Sequence, residues 1–248
     1  GNYGIYADTQ TGLSIRNLQV TGVYDGLLFR NVDLSTVDND SFADCGDNGV
    51  YLTNGSDTNT IRNSRMSNST VGAGILISDV VGCQYNTLTG NRADGNNTNG
   101  FHVGSAKYTV VTSNIAYANS QNGIYVTGNF SDTVQVLNNL SIQNVRAGIH
   151  IDAGVDGCYV IQNECRGNDT GIRITGAVTG VTASKNNLVG NNVNAVYNGS
   201  GNLHTLTRNW FGVSDSSAIG ARVSDTAGDW DPWRLAAVDT APGAATTA

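Results

Sequence analysis

A glycine followed by an aliphatic-x-aliphatic triplet recurs through almost the whole chain of 248 residues. The triplets begin at Ile5, Leu27, Val50, Ile75, Phe101, Ile124, Ile149, Ile172 and Val196, and Ala195 replaces the glycine before the last one. Successive triplets are 22 to 26 residues apart. A nearly constant period in this range is typical of one structural unit stacked on copies of itself. The repeat therefore constrains the architecture more than any other feature of the chain.

Each triplet has the apolar alternation of a half-buried β-strand. In one repeat, Ile149 and Ile151 are predicted to face the interior and His150 the solvent. A second apolar stretch follows in each repeat and often ends in Asn. A further Asn commonly comes five residues later, in the pairs Asn63 and Asn68, Asn86 and Asn91, Asn114 and Asn119, Asn139 and Asn144, Asn163 and Asn168, and Asn186 and Asn191.

These asparagines predict the corners of the repeating unit. Asn tolerates the left-handed conformation and hydrogen-bonds backbone groups at bends. When one Asn occupies the same place in every coil, each amide can bond to the amides above and below it and form a ladder. We therefore expect an all-β parallel solenoid of about nine coils. With strands about 4.8 Å apart, the coils make a rod of roughly 40 Å.

Leucine-rich repeats have a similar period and also carry Asn, but they need a Leu-rich consensus and often contain helices. This chain prefers Ile and Val at its repeated positions, and its acids are nineteen Asp and one Glu, with only two Lys. Asp favours turns, whereas Glu and Lys favour helices. The composition thus argues against a leucine-rich repeat.

The coils resemble the right-handed parallel β-helix of the pectate-lyase-like superfamily, in particular its short-repeat members with periplasmic copper-maturation-type and tailspike-type coils. The resemblance covers about residues 1–212. It implies the fold rather than one activity, because the superfamily includes lyases, hydrolases, epimerases, adhesins and virion spikes. Function has to be argued from a site and not from the fold.

The ends of the chain differ from its repeats. We expect residues 213–235 to cap the rod, because the Asn209-Trp210-Phe211-Gly212 turn and Trp230-Asp231-Pro232-Trp233 resemble the closing segment of short-repeat β-helices. Residues 236–248 are rich in Ala and Thr and are predicted to be a linker or disordered tail. The chain opens inside a coil, so we expect either a mature or trimmed fragment or an N-terminal end that docks on something else.

Charge and cysteine content limit the possible partners. A net charge of −7 with two Lys argues against nucleic acid, whose phosphates demand a basic face. No apolar run approaches the length of a membrane span. The spacing of Cys83 and Cys158, three coils apart, is too long for a disulfide, whereas Cys158 and Cys165 share a coil. We favour buried thiols over a disulfide, and the sequence has no metal-binding Cys motif.

Alternation allows two outward-facing columns to be predicted from sequence. The middle residues of the triplets form the first column, and the residues two positions later form the second. The first column is Tyr6, Leu28, Tyr51, Leu76, His102, Tyr125, His150, Arg173 and Tyr197, and the second is Asp8, Arg30, Thr53, Ser78, Gly104, Thr127, Asp152 and Thr175. Aromatic, His and Arg side chains can stack on sugars and bind carboxylates. Tyr51, His102, Tyr125 and Tyr197 are therefore candidate polysaccharide-binding residues.

His150, Asp152 and Arg173 are predicted to be neighbours and are the candidate catalytic residues. A base, a carboxylate and a carboxylate-binding Arg suit proton abstraction beside a uronate. The alternative is purely structural, because β-sheet surfaces favour Tyr, His and Arg for cross-strand packing. The motifs of characterised β-helix enzymes are absent: there is no Arg-x-Pro-x-x-Arg, no paired Asp-Asp and no Asp-Pro-His-Glu. The short period also leaves little room for the long loops that usually build a cleft.

No cofactor is required by these patterns, and no metal site is predicted. A cluster of aspartates in the second coil, made of Asp33, Asp38, Asp40, Asp44 and Asp47, could supply oxygen ligands for Ca²⁺. The spacing lacks a calcium-binding loop motif, so solvated turn residues are the simpler interpretation.

Two functional hypotheses follow. The first is a domain that works outside the cell, on a cell surface or on a virion and binds a polysaccharide or cell-surface glycan along one face. Such a domain could act on that glycan by binding alone or also by cleaving or modifying it as a lyase, glycoside hydrolase or epimerase. The alternative is a non-catalytic, structural or adhesive rod of a surface protein or viral fibre, with a homotrimer as a possible assembly.

Overall fold

The computed structural model describes residues 2–129, 131–213 and 216–225. These residues form a parallel β-solenoid of about nine coils, as the repeat predicts. The coils contribute strands to three faces, and every strand pairing in the described coils is parallel and joins one coil to the next.

The first face carries the repeated triplets. Its strands are Ile5–Thr11, Leu27–Asp33, Val50–Thr53, Ile75–Gln84, Phe101–Lys107, Ile124–Thr127, Ala147–Ile151, Thr170–Ile174, Asn194–Asn198 and Val223–Asp225. The longer members bend toward the second face, so that Phe101–Lys107 pairs with Ile124–Thr127 and also, through Lys107, with the second face.

Shorter strands form the other two faces. The second face contains Ser14–Arg16, Thr36–Asp38, Thr60–Arg62, Thr87–Thr89, Val110–Thr112, Asp132–Leu137, Asp156–Ile161 and Thr179–Ser184. The third face contains Gln19–Thr21, Ser41–Ala43, Arg65–Ser67, Arg92–Asp94, Ile115–Tyr117, Leu140–Ile142 and Glu164–Arg166. A single helical turn, Ser216–Gly220, precedes the last strand of the first face.

Equivalent residues of successive coils stack in register, which builds the core. Ile149 pairs with Ile124 on one side and Ile172 on the other, and all three are fully buried. The glycine before the triplet is needed because the next strand approaches closely. A Cβ on Gly148 would lie 2.8 Å from the backbone oxygen of Gly171 and 2.8 Å from the Sγ of Cys165. The glycine therefore lets the third-face side chains pack against the turn.

Two ladders of asparagines, all buried except the half-buried Asn191, run along the rod on either side of the third face. One contains Asn91, Asn114, Asn139, Asn163, Asn186 and Asn209, and the other contains Asn96, Asn119, Asn144, Asn168 and Asn191. In each step the Nδ2 of one Asn donates to the Oδ1 of the next, at 2.9 to 3.1 Å. The same Oδ1 accepts a backbone N–H, as Asn139 Oδ1 does from Asn114. The amides thus satisfy backbone groups that the corners would otherwise leave unpaired.

The residue before each ladder position, and not the ladder Asn itself, takes the left-handed conformation. Asn138 has a φ of 55° and Gln162 a φ of 58°. This corrects part of the sequence assignment. Asn63 and Asn68 are left-handed corner residues and not ladder members. The ladder positions of their coil are occupied by Ser64 and Ser69, whose backbone N–H groups donate to Asn91 and Asn96.

Asn86 is also displaced from the predicted pairing. Its Oδ1 accepts the backbone N–H of Asn59, in a column separate from both ladders. The ladder pair in that coil is Asn91 and Asn96. The pairs from Asn114 and Asn119 onward lie where the sequence predicts them.

The two ladders are five residues apart in each of the five coils from Asn91 and Asn96 to Asn186 and Asn191. Length differences between coils fall elsewhere. Between Ser78 and Cys83 the register shifts, because the first-face strand carries additional residues where it turns toward the second face. The corner between the first and second faces therefore absorbs variation that the ladder corners do not.

Two other expectations concern individual side chains. Leu28 was predicted to be solvent-facing but is only 8% exposed. Its register partners are Tyr6 and Tyr51, and large neighbours on both sides leave a leucine little exposed surface. Cys45, Cys83, Cys158 and Cys165 are all buried, and none is disulfide-bonded. Burial raises the pKa of Cys158 to about 12, so its thiol is protonated and unreactive at neutral pH.

The C-terminal cap stays a prediction. Only part of residues 213–235 is described, and Trp230 and Trp233 lie outside the described residues, as does the predicted tail of residues 236–248. Within the described part, Val223–Asp225 pairs in parallel with Asn194–Asn198 and extends the first face.

Replacing Ile149 or Ile172 by Asp should unfold the stack. Either change places a carboxylate in a fully buried core position without a partner. We expect a loss of about 4 kcal/mol or more in the free energy of unfolding. Thermal melting measures it, with Tyr159→Asp on the exposed part of the second face as the control. Parental stability of Ile149→Asp would contradict the assignment of buried and exposed positions.

Replacing Asn139 by Ala should cost about 3 kcal/mol, because the backbone N–H of Asn114 loses its acceptor inside the rod. The side chain also donates to the carbonyl of Val111 and to Asn163. Urea denaturation of this variant and of Asn97→Ala, which removes an exposed amide, gives the comparison. Equal midpoints for the two variants would show that the ladder amides do not stabilise the stack.

Candidate functional site

The first face presents a column of large polar side chains in its later coils, which we call the ring column. It consists of His102, Tyr125, His150, Arg173 and Tyr197, which are in register on adjacent strands. The alternation of the triplets directs these side chains outward, because their neighbours on both sides in the chain are buried core residues. All five are half-buried.

Ring contacts connect the column. The rings of His102 and Tyr125 are 4.9 Å apart between centroids, and those of Tyr125 and His150 are 5.1 Å apart. Farther along, the guanidinium carbon of Arg173 lies 5.1 Å from the centroid of Tyr197. Such contacts limit side-chain motion and hold the polar edges in defined places.

Asp152 lies two residues beyond His150 and receives hydrogen bonds from three sides. Its Oδ1 accepts the backbone N–H of Ala153 and the hydroxyl of Thr175, each at 2.8 Å. Its Oδ2 accepts the hydroxyl of Tyr125 at 2.9 Å. Burial opposes ionisation of Asp152, but these donors outweigh it and hold the pKa of the carboxyl below its usual value.

The hydrogen bonds determine the tautomer of His150. Ionised Asp152 can only accept, so Thr175 gives it its single hydroxyl hydrogen. The Nε2 of His150 lies 2.7 Å from the same Thr175 oxygen and must therefore be the donor. In the neutral ring this leaves the lone pair on Nδ1. The Nε2 is 3.9 Å from Asp152 Oδ2, so Thr175 connects the base and the carboxylate.

Both histidines of the column are neutral at physiological pH. Burial lowers the pKa of His150 to about 4, against the attraction of Asp152 and with the aid of the positive charges of Arg173 and Arg146. Burial alone lowers the pKa of His102 to about 4. Burial, together with the hydrogen bond to Asp152, raises the pKa of Tyr125.

Arg173 supplies a positive charge that is not neutralised by a neighbouring acid. No carboxylate in the described part of the chain comes within 4.0 Å of its guanidinium. Its Nε is buried and has no hydrogen-bond partner. An unsatisfied buried donor on a cation is costly unless an acceptor arrives to satisfy it. The site can therefore hold an anion beside a neutral base.

The structure brings most of the predicted site residues together. His150, Asp152 and Arg173 are neighbours, and His102, Tyr125 and Tyr197 continue the same column. Tyr51 is separate, since Leu76 lies between it and His102 on the intervening strand. Thr175 was placed in the second column but was not predicted to bond His150. Thr175 is one coil period after Asp152 and therefore occupies the equivalent position on the next strand. The repeat alone could have indicated that Thr175 lies beside Asp152 and His150.

The family of the chain follows from its sequence. A family model described as the right handed beta helix region matches residues 3–165. The chain belongs to this family. A search of curated proteins finds no significant match.

Solved right-handed β-helices share the architecture at low identity. A mutant of the periplasmic alginate epimerase AlgG has a TM-score of 0.68 at 15% identity, over 84% of this chain and 50% of that one. The pectate lyase Pel9A has a TM-score of 0.55 at 18% identity, over 93% and 57%. Tailspike protein 2 from Escherichia coli O157:H7 bacteriophage CAB120 has 0.61 at 11%, over 92% and 36%. The chain thus spans about half the length of the epimerase, and these likenesses establish its fold.

The aspartates considered for calcium do not converge in this β-helix. Asp38 accepts from Arg62 and Asn63, and Asp40 accepts the backbone N–H of Leu18 at a ladder position. Asp44 accepts the side-chain amide of a corner Asn. Within the described ranges, no group of three or more His, Cys, Asp or Glu is arranged to hold a metal ion. Calcium binding stays a prediction that these positions do not favour.

The sequence analysis finds no apolar run as long as a membrane span. No helix of the described residues is long and apolar enough to cross a bilayer.

The pKa values of His102 and His150 should lie far below the ordinary value of 6.5. Following the imidazole C–H signals by NMR, we expect His102 and His150 to have midpoints near pH 4. In the unfolded chain these histidines bind protons near pH 6.5, but in the folded chain only near pH 4. The free energy of unfolding should therefore fall as the pH drops from 6.5 to 4, and this contribution is fully present above pH 6.5. His150→Gln should flatten the decline, whereas Arg62→Gln, on another face, should not. A midpoint near 6.5 for His150 would show that its ring is solvated.

Proposed function

We propose that this β-helix domain acts on an acidic, uronate-containing polysaccharide that lies along the ring column, and that His150 removes a proton from the uronate. The observation that carries the proposal is the buried, unpartnered Nε of Arg173 next to a neutral histidine whose Nδ1 holds the lone pair. The alginate epimerase and the pectate lyase among the similar structures support the substrate class.

Each residue has a distinct part in the proposed reaction. Arg173 binds the uronate carboxylate and neutralises the negative charge that develops when the carbon next to it loses its proton. His150 accepts that proton on Nδ1. Thr175 and Asp152 orient the imidazole and are positioning residues. His102, Tyr125 and Tyr197 contact neighbouring sugar rings, and Tyr51 lies on the same face farther along the polymer.

The carbanion has two outcomes that conserve atoms and charge. In the first, the glycosidic oxygen leaves from the adjacent carbon, a carbon–carbon double bond forms, and the oxygen takes the proton from the imidazolium of His150. In the second, water on the opposite side gives a proton to the same carbon and inverts it, and the imidazolium of His150 returns its proton to the hydroxide. A glycoside hydrolase needs a pair of carboxylates, whereas Asp152 is the only acid in the outward columns from His102 to Tyr197. The geometry therefore favours a lyase or an epimerase.

The second candidate function is a non-catalytic rod of a surface protein or viral fibre. It is favoured by the short corners, since no repeat exceeds 26 residues, and by the mutual packing of the column residues. In either case we propose a location outside the cell, on its surface or on a virion. A homotrimer that covers the first face would support the rod, and sedimentation equilibrium tests for it.

Incubation with neutral and acidic polysaccharides, followed by mass spectrometry and NMR of the products, tests the proposed activity. We expect product only from uronate polymers. His150→Ala and Arg173→Ala should each reduce the rate on the order of a hundredfold or more. Tyr159→Ala, on the second face, should retain it. The rate should rise through about pH 4 as His150 loses its proton.

The variants distinguish the possible failures. Product that persists in both His150→Ala and Arg173→Ala would place the reaction elsewhere. Binding of a uronate polymer without product, lost in Arg173→Ala, would retain the binding surface and exclude proton abstraction. Neither binding nor product with any polymer would leave the rod as the function.

A further inference from the structure

A separate groove of about 620 Å³ lies at the end of the third-face strands. We call it the third-face groove, and it is lined by Tyr117, Ile142, Gln143, Arg166, Gly167, Val189 and Gly190. Tyr117, Ile142, Arg166 and Val189 come from four successive coils, so the groove follows the rod for about 14 Å at the usual strand spacing. The volume is within the range of ligand-binding clefts, roughly 300 to 1,000 Å³.

The corner after the third face explains the concavity. Gly167 and Gly190 stand there in left-handed conformations, with φ of 66° and 67°. A Cβ added to Gly190 would meet no atom within 4 Å. The missing side chains leave a trough beside the larger residues at the strand ends, which supply its wall.

Tyr117 provides an aromatic surface at one end of the groove. Arg92 from the preceding coil lies over the ring, with its guanidinium carbon 5.3 Å from the centroid. The same Arg92 donates to Asp94 at 3.0 Å, so it is held in place. Arg92 covers one face of the ring, and Tyr117 keeps 36% of its surface exposed for contact with a ligand.

The groove offers both hydrogen-bond donors and acceptors, and the positive charge of Arg166 is balanced by Glu164. Arg166 is paired through Nε with Glu164 at 3.0 Å, and its side chain remains 55% exposed. Gln143 is exposed at the corner and offers an amide. An ion pair and an amide beside a ring match a ligand rich in hydroxyl groups and without charge of its own.

A peptide fits the groove less well. The strands Ile115–Tyr117 and Leu140–Ile142 are hydrogen-bonded on both sides, so they offer no open edge to an added strand. The apolar wall, made of Tyr117, Ile142 and Val189, is also short for an amphipathic helix.

We infer that the third-face groove is a second carbohydrate-binding site, which takes a short uncharged glycan segment by stacking on Tyr117 and by hydrogen bonds to Gln143 and the Arg166–Glu164 pair. It lies on a different face from the ring column and does not depend on catalysis there. A polymer held at this site would keep the rod attached to a glycan surface while the first face is vacant.

An array of neutral and acidic glycans tests the inference, probed with fluorescently labelled full chain. The parent for this experiment is the His150→Ala/Arg173→Ala double variant, in which the proposed first-face site is disabled. In it, Tyr117→Ala and Val189→Trp are compared with Tyr108→Ala and Val71→Trp. The controls are exposed residues of the same types outside the groove. Melting temperatures confirm that each variant is folded.

We expect the parent to bind neutral glycans with little dependence on salt, since no net charge is used. Tyr117→Ala should weaken binding about tenfold, the equivalent of one aromatic contact, and Val189→Trp should block it by filling the groove. The controls should bind like the parent. No binding to any neutral glycan, or binding that both groove variants retain, would overturn the inference. The inference would also be overturned if Val189→Trp changed the oligomeric state but kept glycan binding, because the groove would then be an interface between copies of the chain.

Discussion

Hydrogen bonds between successive coils are the interaction on which the rest of this molecule depends. Every strand bonds in parallel to the equivalent strand of the next coil, and at the corners the asparagine side chains continue that bonding where the backbone turns. A buried corner without such a side chain would leave backbone N–H groups unsatisfied, at a cost of about 1 to 3 kcal/mol each. The amide ladders therefore fix the register of the coils from Asn91 onward, and with it the position of the outward side chains of the ring column.

The same stacking gives the ring column its chemistry. Side chains that would be solvated on an isolated strand are half-buried here because the coils above and below contribute equally large neighbours. That packing keeps His150 neutral, while hydrogen bonds from Tyr125 and Thr175 keep Asp152 ionised. One base and one anion are maintained side by side by burial and by donors from neighbouring coils. The surrounding coils, and not a deep cleft, set these protonation states.

The fold was predictable because the same pattern of glycine, buried triplet and corner Asn recurs in most coils. The triplets located the first face and the core, and the period placed His150, Asp152 and Arg173 together. Finer features depend on neighbours that a linear pattern does not display. The burial of Leu28 follows from tyrosines on both adjacent strands. The role of Thr175 follows from the direction of one hydroxyl hydrogen, and the third-face groove from glycines whose missing side chains matter only in three dimensions.

The constant five-residue separation of the two ladders has a consequence for how such a rod can diversify. The segment between the two ladders cannot lengthen without breaking an amide ladder, whereas the corner between the first and second faces already tolerates a register shift between Ser78 and Cys83. Insertions are therefore permitted next to the ring column and opposed between the ladders. A lineage or a designer could graft new recognition loops onto that one edge, coil by coil, while the scaffold beneath keeps its spacing.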